Sequence, residues 1–214
     1  MCFADRVHAA SQPLVDASVN QWLTIAGPVC KDDRVVPVEH DLHPETAVRL
    51  RPLGVDDEHA VRTAQLSMAR EGFEFAFGLT DETDWPSYVT ELSHRQFGID
   101  LPPGSVPASF LAAVSDGVVV GRSSIRHRLN DELRIVGEHV GYCVLPQFRR
   151  QGFATEICRQ SVIIARAFGV DGVLLTCDAD NVASKTVIER CGGILDSDWP
   201  LTGTAPSKYR YWIK

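Results

Sequence analysis

The segment Val144-Leu145-Pro146-Gln147-Phe148-Arg149-Arg150-Gln151-Gly152-Phe153-Ala154-Thr155 runs from the end of an apolar strand, through a short basic turn, into the start of a helix. The first amides of a helix have no partner within it and carry the positive end of its dipole, so they form a ready anion site. Gly152 and Ala154 keep bulky side chains off that backbone, which lets a pyrophosphate approach. Arg149 and Arg150 add charge and Thr155 adds a hydroxyl. No Gly-Lys-Ser/Thr follows, so this is not a nucleotide P-loop. A dinucleotide fingerprint is excluded too, since it needs a third glycine and a different strand–helix setting. Taken alone, the segment also fits an ordinary turn with exposed arginines.

Upstream of it, Leu133–Leu145 reads as one long strand ended by Pro146. Downstream, a helix runs from about Gly152 to Phe168 and stops at Gly169. Val173–Cys177 is a continuous apolar run, the mark of a strand buried on both faces. Val182–Cys191 is a short helix closed by Gly192-Gly193, and Gly193–Asp198 and Lys208–Ile213 are two last strands. Toward the N-terminus, Ala108–Val114 and Val118–Arg126 form a hairpin about Asp116-Gly117, and Asn130–Glu132 makes the next turn. Thr83–Phe97 is a helix with Trp85, Tyr88, Val89 and Leu92 on one face. A further helix spans Asp56 to about Arg70, and Ala47–Leu53 alternates as a strand. The order β-α-α-β-β-β-α-β-α-β-β predicts an α/β (α+β) domain over residues 46–214. Residues 1–45 contain Pro13, Pro28, Pro37 and Pro44 and no sustained period, with short helices conceivable around Val15–Trp22. They read as a loosely attached extension, or more sharply as a lid or dimer arm.

Lys and Arg number 21 against 28 Asp and Glu, a formal charge of −7. With no long basic run to offset it, nucleic acid is excluded as the main partner. The six cysteines, Cys2, Cys30, Cys143, Cys158, Cys177 and Cys191, show no zinc-knuckle or redox spacing, and free thiols are expected. No metal site is expected. No stretch approaches the ~20 apolar residues of a membrane span, and no secretory signal is evident. The expected location is the cytoplasm.

Arg149-Arg150-Gln151-Gly152-Phe153-Ala154 fits the Gln/Arg-x-x-Gly-x-Gly/Ala motif of the GNAT N-acetyltransferase superfamily, which the chain resembles. Cys177-Asp178-Ala179-Asp180-Asn181-Val182-Ala183-Ser184, with Val187–Gly193, looks like the superfamily's second cofactor segment. Ile125–Asn130 and the terminal Arg210-Tyr211-Trp212-Ile213 resemble a bacterial branch of predicted acetyltransferases. The resemblance implies a mixed, mostly antiparallel twisted sheet of about seven strands with about four helices around it. It also implies that Leu133–Leu145 splays from its neighbour Val173–Cys177. The implied activity is acetyl-CoA-dependent acetylation of a primary amine, on a small molecule or a protein, by direct attack in a ternary complex. A non-catalytic acyl-CoA-binding or sensing module is the alternative, and a homodimer is allowed.

Residue by residue, the resemblance implies that the backbone of Tyr142 and Val144 faces the arm of acetyl-CoA. Arg149, Arg150, Gln151, Gly152, Phe153, Ala154 and Thr155 would hold its pyrophosphate. Asn181 and Ser184 match polar contacts to the arm, and helix capping explains them equally well. Glu138, eleven residues before Arg149, stands where the histone-acetylating branch has its general base. A solvated strand residue, or a pair with Arg126 or Arg128, is the plainer reading. A β-bulge common at this place in the superfamily would change which face Glu138 takes. His139 and His127 are alternative bases. The helix tyrosine that serves many members as general acid is matched here by Ile188, leaving Ser184, a water, Tyr209 or Tyr211 as substitutes, or equally no acid at all, since a CoA thiolate is a good leaving group. Trp85, Tyr88, Phe97, Tyr209 and Trp212 are candidates to line the acceptor pocket.

Overall fold

Asp116 and Gly117 both adopt positive φ, 48° and 78°, as a two-residue hairpin turn requires. In the computed structural model, which describes residues 47–197 and 208–214, this turn joins β2 (Ala108–Ser115) to β3 (Val118–Arg126). β1 (Arg49–Pro52) pairs with β2, and β4 (Val140–Val144) with β3, all antiparallel, in the order β1-β2-β3-β4. A second antiparallel sheet has the order β5-β7-β6, from β5 (Val173–Asp178), β6 (Ile194–Leu195) and β7 (Lys208–Ile213). The extension at 1–45, the helices expected around Val15–Trp22, Cys2, Cys30 and the end of the Gly193–Asp198 strand lie outside the described residues.

The helices are α1 (Glu58–Ala69), α2 (Trp85–Phe97), α3 (Asp131–Val136), α4 (Phe153–Ala167) and α5 (Val182–Arg190). Strand alternation sends Leu111, Ala113, Val120, Val140 and Val144 to one face, where Phe153, Ile157 and Val162 of α4 cover them. Phe110, Ala112 and Val119 take the opposite face, under Val61 and Met68 of α1 and Trp85 and Tyr88 of α2. Each such large side chain withdrawn from water contributes about 1.5–3 kcal/mol, so these two layers hold the first sheet in place. This is the mixed α/β architecture expected from the order of elements, with one more short helix.

That helix corrects the reading of Leu133–Leu145 as a single strand. Asn130 accepts a hydrogen bond from the Leu133 amide (2.8 Å) and caps α3, with Asp131 and Glu132 in its first turn. Arg210, arriving from β7, donates to the carbonyls of Arg134 (2.7 Å) and Ile135 (3.1 Å) and holds the other end. β4 therefore begins only at Val140 and keeps a regular register with β3. The bulge lies between β2 and β3, at Ala113/Val114, and not beside Glu138. Among the described residues, Cys143, Cys158, Cys177 and Cys191 are free, and no helix is long and apolar enough to cross a membrane.

Candidate functional site

β4 and β5 belong to different sheets, and what ties them lies just before β4. The His139 amide donates to the Leu174 carbonyl (2.8 Å), and the Leu174 amide donates to His139 Nδ1 (2.9 Å). Glu138 continues the bridge with its side chain, its Oε2 accepting from the Thr176 amide (3.1 Å) and hydroxyl (2.7 Å). Beyond these contacts no ladder joins the strands. The Leu145 amide bonds the Val120 carbonyl on β3. Antiparallel alternation from that point turns the N–H and C=O of Val140, Tyr142 and Val144 away from β3, toward the open side. Tyr142 and Val144 thus turn their backbone toward a gap rather than toward β3, the Val144 carbonyl meeting Arg149 Nε there (3.2 Å). Glu138 Oε1 lies over Gly141, where an added Cβ would stand 3.0 Å from it.

The basic turn follows the open end of β4. Arg150 and Gly152 take φ of 65° and 85°, left-handed backbone that suits Gly152 and strains Arg150. Gly152 is the N-cap of α4, and no side chain caps the helix. Its first amides therefore face a cleft of about 630 Å³ lined by Val144, Arg149, Arg150, Gly152, Ala154 and Thr155 from the turn and by Thr186 and Arg190 from α5. Uncapped amides, cations and hydroxyls are the donor set a pyrophosphate takes, so the residues present fit one. Arg149 is partly diverted: its guanidinium grips both carboxylate oxygens of Glu71 (2.6 and 3.2 Å) and the Val144 carbonyl (3.2 Å). Gln151 points back to the Gln147 carbonyl (3.4 Å) and does not line the cleft. Arg190 lies in the Val187–Gly193 stretch singled out from the sequence, whereas Thr186 carried no motif signal but lies one helical turn beyond Val182, which did.

Near the gap, the hydroxyls of Tyr142 and Ser184 meet at 3.3 Å. Burial pushes the Tyr142 phenol above its ordinary range, and the Ser184 contact opposes this only in part. Asn181 accepts from the Ser184 amide (3.0 Å), which is the capping role. Ile188 is fully buried, packed against Gly193, and faces the core. The Tyr211 hydroxyl donates to Glu189 (3.3 Å), and burial raises its pKa to about 12. The Tyr209 ring sits under Lys185 Nζ at 5.5 Å. Both histidines have structural partners. His139 accepts from Leu174 as above, and His127 stacks on Phe168 at 3.6 Å while its Nε2 meets Ser109 Oγ at 2.9 Å. Burial depresses each to about 4.

On the face of the first sheet that carries α1 and α2, sequence reasoning missed the main features. Arg122 is buried, with Phe73, Phe77 and Phe110 around its guanidinium at 5.1, 4.6 and 5.8 Å, and its Nε donates to the Phe75 carbonyl (3.1 Å). Burial lowers its pKa from the ordinary arginine value. Beside it lies a cavity of about 340 Å³ between α2, the 101–106 loop and β3. None of the five aromatic residues named for an acceptor pocket lines this cavity. Trp85 and Tyr88 are core residues that donate to the carbonyls of Gly54 and Phe77. Phe97 is exposed, and Trp212 lies against Gly172 with its Nε1 on Asp196 (2.9 Å).

The sequence model of the acetyltransferase (GNAT) domain matches residues 48–194. Among solved structures, the chain is similar to Mycobacterium smegmatis RimJ in complex with CoA-disulfide, at 18% identity and TM-score 0.57 over 79% of this chain and 83% of that one. It is similar to yncA of Salmonella typhimurium with its cofactor acetyl-CoA, at 16% identity and TM-score 0.53 over 78% and 94%. A GNAT-family acetyltransferase from Streptococcus pneumoniae matches at 13% identity and TM-score 0.54 over 78% and 99%. At such identities the likeness is one of fold. No curated protein matches.

Proposed function

Because the chain belongs to the GNAT acetyltransferase family, whose co-substrate is acetyl-CoA, we propose that it acetylates a primary amine, with donor and acceptor bound together. One observation carries the proposal: the uncapped Gly152 turn, the open edge of β4 and the Glu138 carboxylate follow one another along a single path. When bound, acetyl-CoA supplies an acetyl group activated as a thioester. Arg150, Thr155 and the amides that open α4 hold its pyrophosphate. The outward N–H and C=O groups of Tyr142 and Val144 hold its amide-bearing arm. The Arg149–Glu71 pair is exposed on both sides, worth at most about 1 kcal/mol, so Arg149 is free to turn toward the phosphates.

A protonated amine has no lone pair, so a base must take its proton. Glu138 is the base in this proposal: Thr176 anchors Oε2, and Oε1, without a partner among the described residues, accepts the proton. Ser184, hydrogen-bonded to Tyr142, is the proton donor the fold offers in place of Ile188. The domain takes residues 46–214 and leaves 1–45 as an extension, and the free cysteines suit a reducing cytoplasm. The test is thiol release from acetyl-CoA over a broad amine panel, with binding followed by calorimetry. One observation favours the non-catalytic reading, the burial of Ile188 where many members place an acid. Tight acetyl-CoA binding without thiol release from any amine would establish that reading.

A further inference from the structure

The 340 Å³ cavity is the feature that speaks to the acceptor. It lies on the Arg122 face of the first sheet, against the residues that precede β4. Arg126 lines it and reaches the backbone of Glu138, donating from one terminal nitrogen to the Glu138 carbonyl (2.9 Å). Its other N–H groups have no partner among the described residues. Arg95 lines the opposite wall, its charge answered by Glu91 at 2.6 Å. Ser105, Ser109 and Ser124 add hydroxyls, and no carboxylate lines the cavity. In a chain whose net charge is −7, a cavity lined by Arg126, with no ion-pair partner among the described residues, and by no acid is a local reversal of sign. The remaining wall is apolar, from Phe77, Leu92, Leu101, Val106 and Phe110.

We infer that this cavity receives a small acceptor bearing a carboxylate as well as its amine, the carboxylate paired with Arg126 and a short apolar body against Phe77 and Phe110. This rests on the acetyl-transfer reading and names its substrate class. Arginine suits the role because its planar fork matches a carboxylate with two parallel hydrogen bonds. A carboxylate held at Arg126 leaves the amine end of the molecule beside Glu138, whose carbonyl that arginine already grips. A simple diamine or polyamine would meet like charge at the same spot.

The experiment uses the whole chain saturated with CoA and matched ligand pairs: leucine with isoamylamine, phenylalanine with phenethylamine, lysine with cadaverine. Calorimetry reads binding, and thiol release from acetyl-CoA reads turnover. At least one carboxylate-bearing member is expected to bind about tenfold to a hundredfold more tightly than its partner. Arg126→Gln should erase that preference and leave CoA affinity and melting temperature in place, while Arg126→Lys should restore part of it. Equal binding within every pair, stronger binding of the amines, no binding at all, or a preference that survives Arg126→Gln would each overturn the inference. Carboxylate-selective binding without thiol release would sustain the pocket and overturn the acetyl-transfer reading. Thiol release with no carboxylate preference would do the reverse.

Discussion

Glu138→Gln separates a chemical role for this residue from a mechanical one. In the structure one oxygen, Oε2, accepts both the Thr176 amide and the Thr176 hydroxyl. A glutamine oxygen can occupy the same place and keep both bonds, so the bridge to β5 survives and only the charge assistance is lost. At this half-exposed site that loss is worth about 1 kcal/mol, or about 2–4 °C in melting temperature for a domain of this size. Glu138→Ala removes the bridge altogether and should cost about 1–3 kcal/mol. The catalytic expectation is ordered differently. Glutamine cannot take a proton, so turnover should fall about 10²- to 10⁴-fold, as far as in the alanine variant, with acetyl-CoA affinity unchanged within about twofold. Thermal melts, calorimetry of acetyl-CoA binding and thiol-release rates across pH check the three quantities. A glutamine variant that keeps more than half of wild-type turnover would show that Glu138 is a strut and not the base. The same conclusion follows if activity tracks the melting temperature across both variants.

Gly141→Ala places a Cβ 3.0 Å from Glu138 Oε1, so turnover should fall about tenfold or more with little change in acetyl-CoA affinity, read by the same thiol assay. Gly152→Ala forces a side chain into φ of 85° at the mouth of the anion cleft. It should cost about 1–2 kcal/mol in stability and weaken acetyl-CoA binding by calorimetry. His127 and His139 are both depressed to about 4 by burial, while their unfolded forms titrate near 6.5. The unfolded chain therefore binds more protons in that window, and stability should fall as pH drops from about 6.5 toward 4, by about 1.4 kcal/mol per pH unit for each histidine. Urea melts of the wild type and His139→Gln at several pH values would show it, the variant having the shallower slope.

What could be read from the sequence was what local chemistry determines. Asp116-Gly117 and Gly152 sit at positive φ, and few residues suit such backbone, so they announce themselves. The interval Asn130–Val136 did not, because Asn-Asp-Glu serves as a turn or a helix cap alike, and Leu133-Arg134-Ile135 alternates like a strand. A remote residue weighs on that choice: Arg210 arrives from β7 to bind the last carbonyls of α3, and nothing near residue 133 signals it. The same step moved Glu138 out of the strand, so its expected facing could not be computed by alternation. The facing of Tyr142 and Val144 is simpler, because the phase of β4 is carried by its pairing with β3. The cavity was invisible for a different reason. Its walls come from α2, a loop and two strands, and no period along one segment encodes a space between several. Of the aromatic residues named in its place, Trp85 and Tyr88 were drawn into the core by their size.

The gap itself follows from a substitution of side chains for backbone. Leu174 has both its amide and its carbonyl satisfied by a single residue, His139, through one backbone group and one ring nitrogen. The Thr176 amide, the next on β5 facing that side, is satisfied by the Glu138 carboxylate. These three polar groups of β5 are thus met without β4 lying alongside it, and β4 is released to diverge from Val140 onward. Unpaired backbone groups are tolerated where water or a ligand reaches them and are costly where neither does. The outward edge at Tyr142 and Val144 opens toward the cleft at Gly152, so the release leaves open the stretch that an amide-bearing arm would cover. His139 and Glu138 therefore act in sequence: the ring clamps the foot of the gap, and the carboxylate holds its rim through Oε2 alone. A histidine kept neutral by burial suits the clamp, because Nδ1 must accept a hydrogen bond, and a protonated ring could not.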